Sequence, residues 1–480
     1  MNKPLRKVAV AGLLLVVVLI VNVNYIQGSQ ADKLRTDPLN SRQFAQQWQY
    51  NRGPIMAGKV TLAFSTKTDK DGKNYQRHYN ESTMYSPITG YVSVFSRTGL
   101  EGAQNGLLDG TDKRLALHKW FDALVGKKAA GATVQTTIDP GAQQAAYSGV
   151  KNRTIKRGAA VALDVKTGAI LAMASFPSYD TNDVSTHDGV KANKAFTSLQ
   201  HQKPDPMLNY AMNETFAPGS SFKIVNSAAA IESGLLNKDS SFDASELKLP
   251  ESGRTLPNSD GDEAKCSGAP SLINSFAASC NSTFGRLAIK QGQQQLGAMA
   301  AKFGFNQRVQ VEKDMSSASS VYPTKTIGGD SLARSGIGQE VVTATPLQMA
   351  MVAQAIANDG KMMKPYLVKR VTAQDQSELV TADPKQIGQP ISADTAQQLQ
   401  EMMRAVVDHG TAASTIGGND IAGKTGTAET GTSVNEDWFV GFAPKNNPKV
   451  AFAVVTEGPT GSTGAKFSAP IALRIAQAVR

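Results

Sequence analysis

The stretch Phe216-Ala-Pro-Gly-Ser-Ser-Phe-Lys-Ile-Val-Asn-Ser-Ala-Ala-Ala-Ile-Glu-Ser-Gly234 decides how the rest of the chain is read. Pro218 and Gly219 break the preceding chain, and a run of good helix formers follows, closed by Gly234. The pattern predicts a helix with Ser220 in its first turn and Lys223 three residues on. That spacing puts the hydroxyl and the amine on one face, about 5–6 Å apart at Cβ. A helix N-terminus also offers free backbone N–H groups and a positive dipole end. An exposed serine beside an amine in that setting suits covalent acyl chemistry.

Ser-x-x-Lys is a short pattern, and ordinary composition yields roughly one or two matches in a chain this long. Ser148–Lys151 and Ser245–Lys248 also fit it. Ser148 is followed by Gly149 near the end of an expected helix, where no dipole is available. Ser245 opens a short polar segment stopped by Pro250. Neither has a Pro-Gly break before it. Taken alone, Ser220 reads equally well as a plain helix cap, so the rest of the chain must decide.

The chain has 480 residues, 41% hydrophobic and 19% charged, enough for two or three domains. Its formal net charge is +10, with Lys and Arg spread along the sequence. That distribution fits a solvated surface in an anionic setting and argues against a nucleic-acid footprint. Lys3, Arg6 and Lys7 precede an uninterrupted apolar run, Val8 to Val21, closed by Tyr25 and Ile26. Counted to Ile26, the run is close to the roughly 20 residues a membrane helix needs. The basic residues ahead of it orient that end to the cytoplasm. A cleaved signal peptide would need a small-x-small site, and Gly28-Ser29-Gln30-Ala31 is a poor one. An uncleaved single-pass anchor in the plasma membrane is the expectation, with the remaining chain outside the cytoplasm. Cys266 and Cys280 are the two cysteines. A disulfide between them is permitted in that compartment, with two buried free thiols as the alternative. No metal signature is present, and the five histidines are scattered without ligand spacing.

Residues 27 to about 154 are rich in Gln, Ser, Thr and Gly, with short alternating runs. Strands are expected at Val60–Phe64, Gly90–Phe95 and Val134–Ile138, and helices at Leu115–Val125 and from Asp139-Pro140 to Tyr147. No acid–base constellation is visible here, and the region reads as a docking or spacer module. Near Gly158 the composition changes. Ala159–Val165 and Ala169–Ala174 form an apolar hairpin around Lys166-Thr167-Gly168. A polar loop to about Pro206 follows, then the Ser220 helix. Ala344–Asn358 is helical, with Pro346 in its first turn, and so is Ala393–Val407, capped by Ser392. Ile421–Ala428, Trp438–Phe442 and Val450–Val455 read as strands, and Ser468–Val479 as a closing helix. The expected fold is α/β in the α+β sense, one antiparallel sheet with helices on both faces.

Two further motifs complete the picture. Ser279-Cys280-Asn281 supplies a hydroxyl and an amide two residues apart. Lys424-Thr425-Gly426-Thr427 supplies a cation, a close-approach glycine and hydroxyls on a strand. Ser433-Val434-Asn435 and Lys166-Thr167-Gly168 repeat the patterns out of order. Only Ser220–Lys223, Ser279–Asn281 and Lys424–Thr427 give the order serine-lysine, serine-asparagine, lysine-threonine-glycine shared by penicillin-binding proteins and serine β-lactamases. With these motifs the chain resembles a monofunctional, class B penicillin-binding protein. Arg52-Gly53 with Gly58–Ala63 looks like that family's Arg-Gly box. Thr98-Gly99-Leu100-Glu101 looks like its Thr-Gly-Leu-Glu segment, and Gly336-Ile337-Gly338-Gln339 like its Gly-x-Gly-Gln loop. The short N-terminal region and the Ser-Cys-Asn form are similar to the actinobacterial penicillin-binding protein A type.

The resemblance implies a cytoplasmic tail at 1–7, an anchor at 8–26, a non-catalytic docking or dimerisation domain at 27–154 and a transpeptidase domain at 155–480. It implies Ser220 as nucleophile and Lys223 as its base. A free lysine has a pKa of about 10.4, so that role calls for burial and a second cation, Lys424. Asn281 would hold the Lys223 amine and the substrate backbone, and Ser279 would relay the proton to the leaving amine. Backbone N–H groups of Ser220 and Thr427 would form the oxyanion hole. Lys424, Thr425, Gly426 and Thr427 would bind the substrate's terminal carboxylate. The implied substrates are peptidoglycan stem peptides, carried on a lipid-linked precursor and ending in D-Ala-D-Ala. β-Lactams would acylate the same serine, with no cofactor or metal. Cell-wall synthesis or division proteins are the expected partners. The competing readings are a D,D-carboxypeptidase or β-lactamase-type hydrolase, and a non-catalytic division scaffold or sensor.

Overall fold

Five strands form the sheet on which the three motifs converge: β1 (Gly158–Asp164), β2 (Ile170–Phe176), β3 (Ala422–Glu429), β4 (Val434–Ala443) and β5 (Val450–Pro459). Their order is β3-β4-β5-β1-β2, and every neighbouring pair is antiparallel. In this computed structural model, residues 3–30, 47–68, 75–115, 130–152, 154–258, 264–431 and 433–479 are described. The β1–β2 hairpin closes where the Asp164 carboxylate accepts from the Lys166 and Thr167 N–H groups and Gly168 takes φ +77°. Strands β4 and β5 are buried at nearly every position, which requires cover on both faces. Helices Pro140–Val150 and Ser468–Ala478 pack together on one, and Pro346–Ala357 on the other. The last is buried all round, as its unbroken apolar sequence demands. Thr345 caps it by accepting from the Gln348 N–H, with Pro346 at its start. Ser392 likewise caps Ala393–Asp408 through the Thr395 N–H.

A second, six-stranded sheet runs in the order Glu378–Thr381, Val368–Thr372, Thr133–Thr136, Ile55–Ala57, Val60–Lys67, Tyr75–Tyr79. Two of its strands come from far beyond residue 154, so the early region builds its sheet with help from the later chain. The Arg-Gly and Thr-Gly-Leu-Glu boxes meet in this module. Buried Glu101 accepts from Arg52 Nη2 at 2.6 Å and from Arg77 Nε at 2.6 Å, and Arg77 Nη1 also holds the carbonyls of Arg52 and Gly53. Burial alone would raise the Glu101 carboxyl, but Arg77 and Arg52 outweigh it and hold it below the usual carboxylate range.

Three sequence expectations need correction. Gly90–Phe95 is not a strand: Gly90 has φ +60°, and the chain folds back so that Ser93 N–H reaches Ser96 O and Thr98 N–H reaches Tyr91 O. The supposed polar loop before Pro206 holds helices Thr181–Val184 and Gly189–Gln200, nucleated by Asp180 and Asp188 accepting from backbone N–H groups. Ser220 sits in a 3₁₀ turn, Gly219–Phe222, and the α-helix begins at Lys223. The expected helix Leu115–Val125 lies outside the described residues apart from Leu115, which ends a 3₁₀ turn. At the N-terminus, Lys3–Tyr25 forms a helix with none of its residues buried, followed by a wider turn to Gln30, long and apolar enough to cross a membrane.

Candidate active site

The turn bearing Ser220 is fixed from three sides. Phe216 bridges Ala344 in antiparallel register. From β4, the Glu436 carboxylate accepts the Ala217 N–H at 2.6 Å, and Trp438 Nε1 donates to Ala217 O at 2.9 Å. The Gly219 N–H donates to Gly338 O at 2.9 Å, which gives the Gly336–Gln339 loop its place. Gly219 and Gly338 both have positive φ, and a Cβ on Gly338 would lie 2.2 Å from Gly219 O, so this approach needs glycine on both sides. Strand β3 lies directly against the turn: a Cβ on Gly426 would sit 2.8 Å from Pro218 O and 3.0 Å from Ser221 N. Of the two adjacent serines, Ser221 is buried and donates to Pro218 O, whereas Ser220 is half-exposed.

The helix from Lys223 to Glu232 packs against a second helix, Asn281–Lys302. Lys223 is fully buried. Its Nζ lies 2.6 Å from Ser279 O, 2.7 Å from Asn281 Oδ1 and 3.2 Å from Ser279 Oγ. Lys424 is also fully buried, and its Nζ lies 2.8 Å from the same Ser279 Oγ and 3.0 Å from Thr425 O. One hydroxyl therefore stands between two lysine amines. Beneath them, Phe284 and Phe276 face the two amines at 5.4 and 5.6 Å from the ring centres. Ser279 holds this position with φ +62°, a conformation costly for a residue with a Cβ. The Cys266–Cys280 disulfide is formed and anchors the next residue. Asn281 Nδ2 donates to Pro257 O, which orients the amide oxygen toward Lys223.

All three motifs thus converge. The decoys do not: Ser148 donates to Gln144 O within its own helix, Ser245 is exposed in a turn, and Lys166 pairs with Asn358 at the far hairpin. A cavity of about 580 Å³ elsewhere, bordered by Tyr91, Thr98, Gly99, Tyr179, Asn209 and Arg308, contains none of the residues of these three motifs. Sequence reading missed Thr411, whose Oγ1 lies 2.6 Å from Thr425 Oγ1, and the acidic pair Glu436-Asp437. The signal for the pair was present: two acids inside an apolar strand must be buried for a reason. Burial first, then neighbouring Glu457, pushes the Glu436 carboxyl up to about 7 despite its bond from Ala217. Burial pushes Asp437 up to about 6, with the Ser462 and Thr427 hydroxyls working against the shift. Among the described residues no cluster could hold a metal ion.

Comparison with known proteins identifies the family. Residues 158–477 match the penicillin binding protein transpeptidase domain, and residues 52–134 match the penicillin binding protein A dimerisation domain. The peptidoglycan D,D-transpeptidase PbpA of Mycolicibacterium smegmatis is 39% identical over 98% of this chain and 97% of its own length. The protein of the same name from Mycobacterium tuberculosis is 35% identical over 100% of this chain and 99% of its own. The solved ceftriaxone acyl-enzyme of penicillin-binding protein A from M. tuberculosis superposes with a TM-score of 0.84 at 34% identity, covering 90% of this chain and 99% of that one. The chain belongs to the penicillin-binding protein transpeptidases, as a class B member of the penicillin-binding protein A type.

Proposed function

We propose that this chain is a peptidoglycan D,D-transpeptidase that cross-links stem peptides through a Ser220 acyl-enzyme and is inactivated by β-lactams. The observation that carries the reading is the Ser279 hydroxyl held between the Lys223 and Lys424 amines, next to the turn of the accessible Ser220. A neutral Lys223 has two N–H donors and one lone pair. Ser279 O and Asn281 Oδ1 are obligate acceptors and take the two donors. On its lone pair a neutral amine can take a hydroxyl proton.

In this reading the Ser220 hydroxyl attacks the carbonyl of the penultimate D-Ala, and its proton passes to Lys223 Nζ. The oxyanion faces the backbone N–H groups of Ser220 and Thr427, each such donor typically worth about 3–4 kcal/mol. Collapse expels D-Ala, whose amine takes the proton through Ser279. An amine from a neighbouring stem then attacks the acyl-enzyme and releases Ser220. Lys424, Thr425 and Thr427 receive the terminal carboxylate, with Thr411 buttressing Thr425. The Asn281 side chain has a further N–H for the substrate backbone.

The domain assignment follows the same reading. Residues 1–7 face the cytoplasm, 8–26 cross the plasma membrane, 27–154 dock or dimerise, and 155–480 catalyse outside the cytoplasm. The substrate arrives on a lipid-linked precursor at that surface, and the docking module meets other wall-synthesis or division proteins. The test supplies a synthetic stem peptide ending in D-Ala-D-Ala together with an amine acceptor. Release of D-Ala with cross-linked product, both abolished in Ser220→Ala, is expected. Release of D-Ala with hydrolysed donor alone would instead make the chain a carboxypeptidase.

A further inference from the structure

Asp437 lies on β4 directly across from Thr427 on β3, so the two side chains share one face of the sheet. It is fully buried, and among the described residues neither carboxylate oxygen makes a well-formed hydrogen bond, although the Ser462 and Thr427 hydroxyls stand near enough to favour its charge. Buried carboxyls are rarely left that way. The loop after β5 closes over it. A Cβ placed on Gly458 would sit 2.4 Å from Ser462 Oγ and 2.8 Å from Asp437 Oδ2, so both groups border one small space. The Ser462 hydroxyl is buried and likewise makes no well-formed hydrogen bond among the described residues. The same loop donates its Gly464 N–H to Thr427 Oγ1 at 3.3 Å, and Asn435 Nδ2 donates to Ser462 O. Loop, Asp437 and Thr427 therefore form one packed unit behind the carboxylate-binding end of β3.

We infer that Asp437 is a positioning residue that sets which way the Thr427 hydroxyl points its proton, and so how well the site captures an anionic substrate end. This rests on the reading that Thr427 receives the terminal carboxylate. Thr427 Oγ1 already accepts from Gly464. It has one proton and one further acceptor site. An ionised Asp437 can only accept, and draws the Thr427 proton away from the substrate. A neutral Asp437 can donate, and frees that proton for the incoming carboxylate. The charge on Asp437 also repels that carboxylate directly.

The surroundings leave the Asp437 proton to govern this. Across β5 lies Thr456, and at the start of the closing helix Ser468 donates to the Asp437 carbonyl. Glu436 and Glu457 oppose each other on the other face of the strands, where Arg157 pairs with Glu457. Lys466 on the covering loop and Glu429 at the end of β3 are exposed. Burial raises the Asp437 carboxyl to about 6, within reach of ordinary changes in pH outside a cell.

The experiment compares a penicillin carrying its free carboxylate with the methyl ester of the same penicillin. Second-order rates of Ser220 acylation are measured for both from about pH 5 to about pH 8, where the drug carboxylate stays ionised. Taking the ratio of acid to ester cancels the titration of the base. In wild type the ratio should fall about tenfold as pH rises, the worth of one charge-assisted hydrogen bond. In Asp437→Asn, which does not titrate, it should stay level, and in Thr427→Val, which has no hydroxyl to orient, the fall should shrink to the part that direct repulsion by Asp437 supplies. A level ratio in wild type, with Ser220 acylated normally, overturns the inference and leaves the transpeptidase reading standing. An unchanged slope in Asp437→Asn also overturns it. Absence of any Ser220 adduct in wild type overturns both readings together.

Discussion

Gly426→Ala is the most direct structural test of how the site is assembled. The new Cβ would lie 2.8 Å from Pro218 O, 3.0 Å from Ser221 N and 3.0 Å from Trp438 Cβ. Two of these contacts are backbone and cannot rotate away. To reach ordinary contact, β3 and the Ser220 turn must part by about half an ångström. Overpacking of this kind costs about 1–3 kcal/mol of stability. The cost to acylation is larger, because the proposed oxyanion donors sit on the two elements driven apart. Loss of one such donor lowers rates by about 10²–10³. Acylation by a fluorescent penicillin should therefore slow at least about 100-fold, while urea denaturation shows a folded protein weakened by only about 1–3 kcal/mol. Gly388→Ala serves as the control, since a Cβ there meets nothing within 4 Å. A Gly426→Ala protein that acylates within about threefold of wild type would refute the claim that the β3 contact aligns the site.

Other outcomes follow from the buried charges and the disulfide. Glu436 has its carboxyl raised to about 7 in the fold. The native state therefore binds this proton more tightly than the unfolded chain. The associated stability is present below the ordinary carboxylate pKa and is lost as pH rises through about 7, an upper bound of roughly 3 kcal/mol. Glu436→Gln should flatten that decline in urea midpoints between about pH 5 and pH 8, and an unchanged slope would count against the assignment. Glu101 is the opposite case. Held low by Arg77 and Arg52, it stabilises the fold above the usual carboxylate range, and that stability is lost as pH falls. Glu101→Ala strands two buried arginines and should cost about 3–5 kcal/mol; a loss under about 1 kcal/mol would contradict the cluster's role. Reducing Cys266–Cys280 frees the residue between Ser279 and Asn281. It should remove about 2–4 kcal/mol and slow acylation, and an unaltered rate with both thiols titratable would set that aside.

The catalytic sheet was legible because its strands are apolar runs bounded by turn residues. Its hairpin, Ala159–Ala174, and its three C-terminal strands stand out on composition alone. The candidate nucleophile was legible because Pro218, Gly219, Ser220 and Lys223 lie close together in sequence. What could not be read were contacts between distant segments. Nothing in Thr411 indicates a hydroxyl 2.6 Å from Thr425, since that contact arises only when helix and strand pack. Nothing in Val368–Thr372 shows that it completes a sheet begun at Ile55. Gly90–Phe95 misled for a related reason. Its alternation suits a strand, but two positive-φ glycines, Gly90 and Gly99, bring their backbones together and fold the stretch back. The helix Gly189–Gln200 was hidden by its polar surface, and only Asp188 signals its start.

The central claim is that Ser220 alone forms the covalent intermediate. The intact mass of the ectodomain after exposure to a penicillin measures this directly, with Ser220→Ala, Ser148→Ala and Ser245→Ala beside wild type. The account predicts one stable adduct of the drug's mass in wild type and in both decoy variants, and none in Ser220→Ala. An adduct that persists in Ser220→Ala, or that decays rapidly with hydrolysis of the drug, would contradict it.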